Sequence, residues 1–358
     1  ERGSPPMTAS DTLPATAVSP KSPFRLGFFS YLDGRTHDAP ATTTYADAVA
    51  AYTRADELGI DVGWVAQHHF NQHGGLPTPF VFFASLAGRT RQIGFGTAVL
   101  TLPIEDPIHL AESAAVFETL HPDRLHLGFG TGFANDVVLD TFNQPNKNRR
   151  EVYDAAIATI QGAFAGETLN AQGDALYPAA PQLRGRLWES PGSVARVIQV
   201  GQRGNGLLLS RVAIGTDRDT DEVQRELVDA YLGALPEGVA PRIGLSRTVY
   251  PSSDPATSRR NLEAGVLADR ARAERQGRPM PARTLDEDFA HFSIHWGTPD
   301  QVTESLSQEP LLPEITDLIV QFSPGTQPLE ETLEGLDLLA TQVAPALGWV
   351  PANAVAIS

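Results

Sequence analysis

Two adjacent histidines stand directly after a strand-like apolar run in the segment Trp64-Val65-Ala66-Gln67-His68-His69-Phe70. Imidazole is the side chain whose unperturbed titration lies nearest neutral pH, so either ring could carry a proton to or from a reacting group. If the strand persists to His68, successive side chains alternate, so that one ring enters the open end of a sheet and the other packs outward. A structural pair that only satisfies loop carbonyls is the competing reading, and these residues alone leave both open. His69 and His73 also have the i, i+4 spacing of a helical zinc site, but no acidic residue falls in register with them, so no metal is expected. The chain has no cysteine, which removes thiolate nucleophiles, thiolate metal sites and disulfides, and fits a reducing, cytoplasmic location.

A second set of residues could hold an anion. Glu189-Ser190-Pro191-Gly192-Ser193 lies between a strand-like run and a helical one, where N–H groups and hydroxyls cradle a dianion and Arg150 could neutralise it. Ser193 also reads as an ordinary N-cap, a role compatible with binding phosphate. Gly94-Phe95-Gly96-Thr97 recurs as Gly128-Phe129-Gly130-Thr131, offset by one strand-plus-helix unit. Glycine at a strand end admits close approach to the backbone, so both copies are expected to face a cofactor from one rim, unless two glycine-rich tetrapeptides merely coincide. Gly128-Phe129-Gly130-Thr131-Gly132 is not a dinucleotide loop, because that fingerprint is G-x-G-x-x-G after the first strand. No nicotinamide site is expected.

The elements that must position these groups alternate. Strand-like runs fall at 24–30, 61–66, 92–99, 124–130, 184–188, 207–213, 242–249 and 318–322, and helical patterns at 45–58, 80–88, 108–120, 149–164, 194–202, 221–235, 257–275, 299–307 and 329–343. This order implies parallel strands joined by helical crossovers, because parallel neighbours cannot be joined by a tight turn. Eight such units predict an α/β fold, a single (β/α)8 TIM barrel with its site at the C-terminal ends of the strands. The charged stretch 252–298 is too long for a simple connection and predicts extra helices inserted between strands 7 and 8. The expected layout is an N-terminal tail over 1–22, with 1–6 a cloning remnant, a barrel domain over 23–350 and a C-terminal tail over 351–358.

Of the 358 residues, 41% are hydrophobic and 20% charged, which suits a globular core. The formal charge of −16 speaks against nucleic acid, whose binding draws on clustered Lys and Arg, yet it leaves a small anionic cofactor free to bind at a few local donors. No apolar run approaches the ~18 residues that would suggest a bilayer span, and 1–21 lacks the pattern of a secretory signal, so no membrane association is expected.

Taken in order, Trp64-Val65-x-x-His68-His69-Phe70, Gly96-Thr97-Ala98-Val99-x-x-Leu102-Pro103, Asp106-Pro107, Ala111-Glu112 and Asp123-Arg124 resemble the bacterial luciferase-like flavin-dependent monooxygenase family. The resemblance is strong over 24–150 and looser to Trp349, where Val343-Ala344-Pro345-Ala346-Leu347-Gly348-Trp349 is similar to the ending of related flavin monooxygenases. It implies FMN, supplied reduced by a separate flavin reductase, and oxygenation of a small organic substrate by O2 through a C4a-(hydro)peroxyflavin. By the same resemblance His68 is the catalytic histidine, Ala98-Val99 is a non-prolyl cis peptide beneath the flavin ring, and Arg150, Ser190 and Ser193 bind the phosphate. The resemblance also implies a homodimer. Where luciferases carry a reactive Cys and then a phosphate-binding Arg, this chain has Gly130 and Thr131, so light emission is not implied. Gly130 leaves room beside the ring, and Arg211, or else Arg203, is expected to supply the missing charge. The same resemblance admits two alternatives, an F420-dependent oxidoreductase and a non-catalytic flavin-binding barrel.

Overall fold

The computed structural model describes residues 22–33, 40–70, 74–132, 136–142, 148–213, 216, 218–275 and 280–353. Strands and helices alternate from the start: β1 (Arg25–Ser30), α1 (Ala41–Glu57), β2 (Val62–Val65), α2 (Pro79–Ala87), β3 (Gly94–Thr97), its two-residue continuation β4 (Leu100–Thr101), α3 (Pro107–Leu120) and β5 (Leu125–Gly130). The order goes on through α4 (Asp136–Thr141), α5 (Arg149–Ala165), β6 (Leu187–Glu189), α6 (Val194–Gln202), β7 (Gly206–Leu209), α7 (Thr220–Ala234) and β8 (Ile243–Pro251). It ends with α8 (Pro255–Arg275), α9 (Leu285–His291), β9 (Ile294–Gly297), α10 (Pro299–Ser307), β10 (Asp317–Gln321) and α11 (Leu329–Leu338).

Parallel pairing runs β10-β1-β2-β3-β5-β6-β7-β8, and β10 pairs β8 as well as β1, which closes an eight-stranded (β/α)8 barrel. The helices form the outer layer. In α1 the small and aromatic residues Ala48, Ala51, Tyr52 and Ala55 recur at helical spacing and are buried, and the helix stops at Gly59, whose φ of +79° any Cβ would strain.

One strand has no counterpart among the sequence-derived runs. β9 is four residues long and lies outside the ring, paired to the last residues of β8 from Thr248 to Pro251. It exists because the nine-residue β8 overhangs the barrel and offers a free edge, a partner that no local pattern in Ile294-His295-Trp296-Gly297 announces.

Two tryptophans, Trp64 and Trp188, fill the interior of the barrel edge to face, with ring centroids 5.8 Å apart. Glycines on neighbouring strands make room for them: a Cβ on Gly96 would lie 2.2 Å from the Trp64 ring, and one on Gly206 would lie 2.3 Å from Trp188. The N-terminal ends of the strands are closed by charge. Arg25 at the start of β1 pairs with Asp317 at the start of β10 at 2.7 Å and meets His126 Nε2 at 3.3 Å. Trp349 Nε1 donates to Asp61 Oδ2 at 2.8 Å, so the C-terminal segment plugs this end of the barrel. The stretches expected as tails lie largely outside the described residues. Ala352 and Asn353, which are described, bond back to Gly59 O and Glu57 O at 3.1 Å each.

Candidate functional site

At the opposite end, a cavity of about 620 Å³ opens over the C-terminal ends of β2 to β7. It brings together most of the residues singled out in the sequence, namely His68, Ala98, Val99, Gly130, Ser190 and Ser193. Two further expected residues are not brought to its wall.

His68 sits three residues past the end of β2 because that strand stops at Val65. Its backbone N–H donates to Leu76 O at 3.1 Å, and its Nδ1 is buried without a hydrogen-bond partner. Gly74 is the reason the ring fits, since a Cβ there would stand 2.4 Å from Nδ1. Burial, and then the neighbouring His69, push the His68 imidazole below its ordinary value, so the ring is neutral at pH 7. Tyr31, just past the end of β1, packs tilted against it with ring centroids 5.8 Å apart, and burial raises its phenol. His69 turns away: it packs edge-on to Phe142 at 4.8 Å and its Nε2 is buried without a partner. His73, the other half of the zinc reading, lies outside the described residues.

The Ala98–Val99 peptide is cis. Gln67 ties the end of β2 around it, with its N–H donating to Val99 O at 3.2 Å and its side-chain Oε1 accepting from Thr101 N at 2.8 Å. The Gln67 amide in turn donates to Glu105 at 2.6 Å.

Ser190 follows β6, and its N–H donates to Phe129 O at 3.0 Å. The preceding residue, Glu189, is buried and gathers Tyr153 Oη at 2.7 Å, Arg203 Nε at 2.9 Å and Asn205 Nδ2 at 2.8 Å, which fixes the strand end that carries Ser190. Ser193 stands at the N-cap position of α6 in extended geometry, yet its hydroxyl makes no capping bond.

Arg150 and Arg211 are the two exceptions. Asn148 caps α5, so Arg149 and Arg150 follow one another in the first helical turn and point about 100° apart. Arg149 reaches Gly132 O at 3.1 Å, on the cavity side, whereas Arg150 is exposed. Arg211 turns toward the segment between β8 and β10, with Asp269 of α8 at 3.6 Å and the Phe292 ring at 5.9 Å. Arg203, the other candidate for the missing charge, is held in a two-point pair with Glu189. The repeated tetrapeptide is also corrected. Gly130 lines the cavity beside Val99, but Gly96 makes room for Trp64 inside the barrel and Gly94 lies lower still, so the two copies occupy different heights.

Sequence reasoning missed the far wall of the cavity, supplied by α7 and the segment before it: Arg218, Val223, Gln224, Glu226 and Leu227. Gln224 is buried and its amide donates to Ser210 O at 2.6 Å, but Oε1 has no partner. A single buried Gln on an amphipathic helix gives no signal until the helix is docked. Among the described residues no His/Cys/Asp/Glu group is arranged to hold a metal ion, and no helix is long and apolar enough to cross a membrane.

Comparison with known proteins agrees with this geometry. The family model for luciferase-like monooxygenases matches residues 24–309. A similar structure is monooxygenase RslO1 from Streptomyces bottropensis, with TM-score 0.74, 22% identity and coverage of 90% of this chain and 100% of that one. The oxygenating constituent of 3,6-diketocamphane monooxygenase from Pseudomonas putida, in complex with FMN, has TM-score 0.73, 17% identity and coverage of 90% and 98%. An F420-dependent secondary alcohol dehydrogenase has TM-score 0.61, 15% identity and coverage of 90% and 99%. Among curated sequences, an alkanal monooxygenase alpha chain from Photorhabdus laumondii is 32% identical over 81 residues, 23% of each chain. Protein y4wF of Sinorhizobium fredii is 35% identical over 112 residues, 31% of this chain, so the match spans only 32% of that relative's length. With the family match spanning nearly all of the barrel, the chain belongs to the luciferase-like monooxygenase family of oxidoreductase enzymes.

Proposed function

We propose that the chain is an FMN-dependent monooxygenase that takes flavin reduced by a separate reductase and uses O2 to oxygenate a small organic substrate. The observation that carries this reading is a cavity at the C-terminal rim that unites His68, the Ala98–Val99 peptide, Gly130 and the Ser190–Ser193 turn. The wall suits a planar, many-donor cofactor. Gln224, which lines it, has an Oε1 buried without a partner, and the Ser193 hydroxyl is free of capping duty at the start of α6. Bound there, reduced FMN would supply electrons to O2. The protein's share is to position, to exclude water and to move a proton.

In this reading Ala98 and Val99 floor the ring, Gly130 makes room for the Val99 side chain beside it, and Ser190 and Ser193 hold the phosphate end. His68, neutral at pH 7 with Nδ1 shut against Gly74, accepts or donates the proton through Nε2. Helices α8 and α9 would shield the rim, since α8 reaches Arg211 through Asp269. Val116 and Leu120, one turn apart on α3 and both exposed, support a homodimer through that helix, and the working unit is the barrel over 23–350 in a cytoplasmic setting.

Titration of the protein with oxidised and reduced FMN, followed by oxygen uptake with aldehyde, sulfonate and aromatic substrates, tests the reading. Saturable FMN binding is expected, with a His68→Asn variant that binds flavin but turns over about 100-fold more slowly. Absence of FMN binding, or a variant with full turnover, overturns it. Preference for F420 over FMN in a parallel titration would reassign the chain to hydride transfer, and FMN binding without any turnover would favour a non-catalytic flavin carrier.

A further inference from the structure

The cavity wall lacks a cation at the expected places. Thr131 stands where the luciferases have an arginine, Arg150 is exposed, Arg203 is locked to Glu189 at 2.6 Å, and Arg211 leans on Asp269 at 3.6 Å with its Nη1 buried and off the cavity wall. Arg196, near the start of α6, is held by Asp154 at 2.8 and 2.9 Å. Yet a phosphate dianion out of bulk water needs a counter-charge or several charge-assisted donors.

Among the described residues that line the cavity, Arg218 is the one guanidinium or ammonium group. It shares the wall with Ser190, Ser193 and Val194, and it follows β7 just before Asp219, the N-cap of α7. Its principal partner is Glu226, two turns along α7, which accepts from the two terminal nitrogens at 3.0 and 2.6 Å, with Glu222 farther off at 4.0 Å. That pair is half exposed, at 50% and 51% for the two side chains, and exposed ion pairs contribute little net because water and side-chain entropy offset the attraction. The fork-to-fork geometry is the one a guanidinium also presents to a phosphate.

We propose that Arg218 is the anion-binding residue of this cavity and that Glu226 holds it until the ligand's phosphate displaces the carboxylate. The inference rests on the flavin reading of the cavity. It makes Arg218 the functional substitute for the cation absent at Thr131, reached from a different strand. It also makes Glu226 a built-in competitor, since its charge both occupies the fork and repels the dianion.

Binding of FMN and of riboflavin, which has the same ring and no phosphate, separates the possibilities when measured by fluorescence quenching on the whole chain. Wild type is expected to prefer FMN, and added salt should weaken that preference. Arg218→Ala should weaken FMN binding about 10–100-fold while riboflavin stays within about twofold, Arg218→Lys should fall between, and Glu226→Gln should tighten FMN about threefold. Both residues are surface-exposed, so a circular-dichroism spectrum identical to wild type is expected. An unchanged FMN-to-riboflavin ratio in Arg218→Ala overturns the assignment and leaves the flavin reading standing. Loss of the ratio in Arg149→Ala instead would move the role to Arg149, also against the proposal. Wild type that binds neither ligand removes the flavin reading, and the proposal with it.

Discussion

The two ends of the barrel solve opposite problems with the same residue types. At the N-terminal end, charged groups are buried and paired: Arg25 with Asp317, Asp61 with Trp349 and the Leu26 N–H, and Arg242 across the Leu187 and Gly204 carbonyls. At the C-terminal end Gln224, which lines an open volume, keeps an unpartnered Oε1, and the arginine on the wall is held by an exposed carboxylate; the N-terminal end has its own unpartnered atom, His126 Nδ1, but His126 does not line that volume. The first end is built to be finished by folding, and the second to be finished by a ligand. A buried pair is costly to break because the surviving charge has no water to return to, whereas the half-exposed Arg218–Glu226 pair gives both charges back to water when it opens.

The largest test of that contrast is Arg25→Met, which leaves the buried Asp317 carboxylate without its partner. Urea denaturation should show a loss of about 3–5 kcal/mol, with flavin affinity of the folded protein unchanged. A loss below about 1 kcal/mol would mean that the N-terminal end is not the anchored one.

Glycine gives the next comparison. Gly96→Ala puts a Cβ 2.2 Å from the Trp64 ring in the packed interior and should cost about 1–3 kcal/mol. Gly192→Ala, at the rim, meets nothing within 4 Å and should shift stability by less than about 0.5 kcal/mol. Equal costs at the two sites would erase the distinction between a packed interior and an open rim.

The smallest effect expected is in pH dependence. His126, at the N-terminal end, is driven well below its ordinary value by burial and by the Arg25, Arg186 and Arg242 charges, and His68 at the rim is lowered by burial and His69. A depressed histidine contributes stability above the unfolded value of about 6.5, and this is lost as pH falls through the folded value, because the unfolded chain takes up the proton first. Asp317 and Asp61, raised by burial, carry the opposite sign and gain as pH falls toward the carboxylate range. His126→Asn should therefore flatten the decline in unfolding free energy below pH 6.5 more than His68→Asn does. A greater flattening by His68→Asn would reverse the ranking of the two ends.

Much of this is legible in the chain as written. The eight barrel strands and the helices between them follow from apolar runs and helical spacing, because each element must bury one face whatever its neighbours are. His68, the Ala98–Val99 pair, Gly130, Ser190 and Ser193 come from motif order, and all six residues line one cavity. What pattern could not supply is direction. Arg149 and Arg150 are interchangeable in the sequence, and only the capped start of α5 aims the first at Gly132 and leaves the second in solvent.

The sequence by itself determined the alternating architecture and the family motifs, which are local properties of composition and spacing. The tertiary structure decided which glycines are packing glycines, since Gly96 answers to a tryptophan 32 positions earlier in the chain. It also decided which arginine shares a wall with the Ser190–Ser193 turn, because the pairing of β7 beside β6 sets the start of α7 next to the start of α6 at that rim, and local spacing does not show which way an arginine in the connecting segment faces.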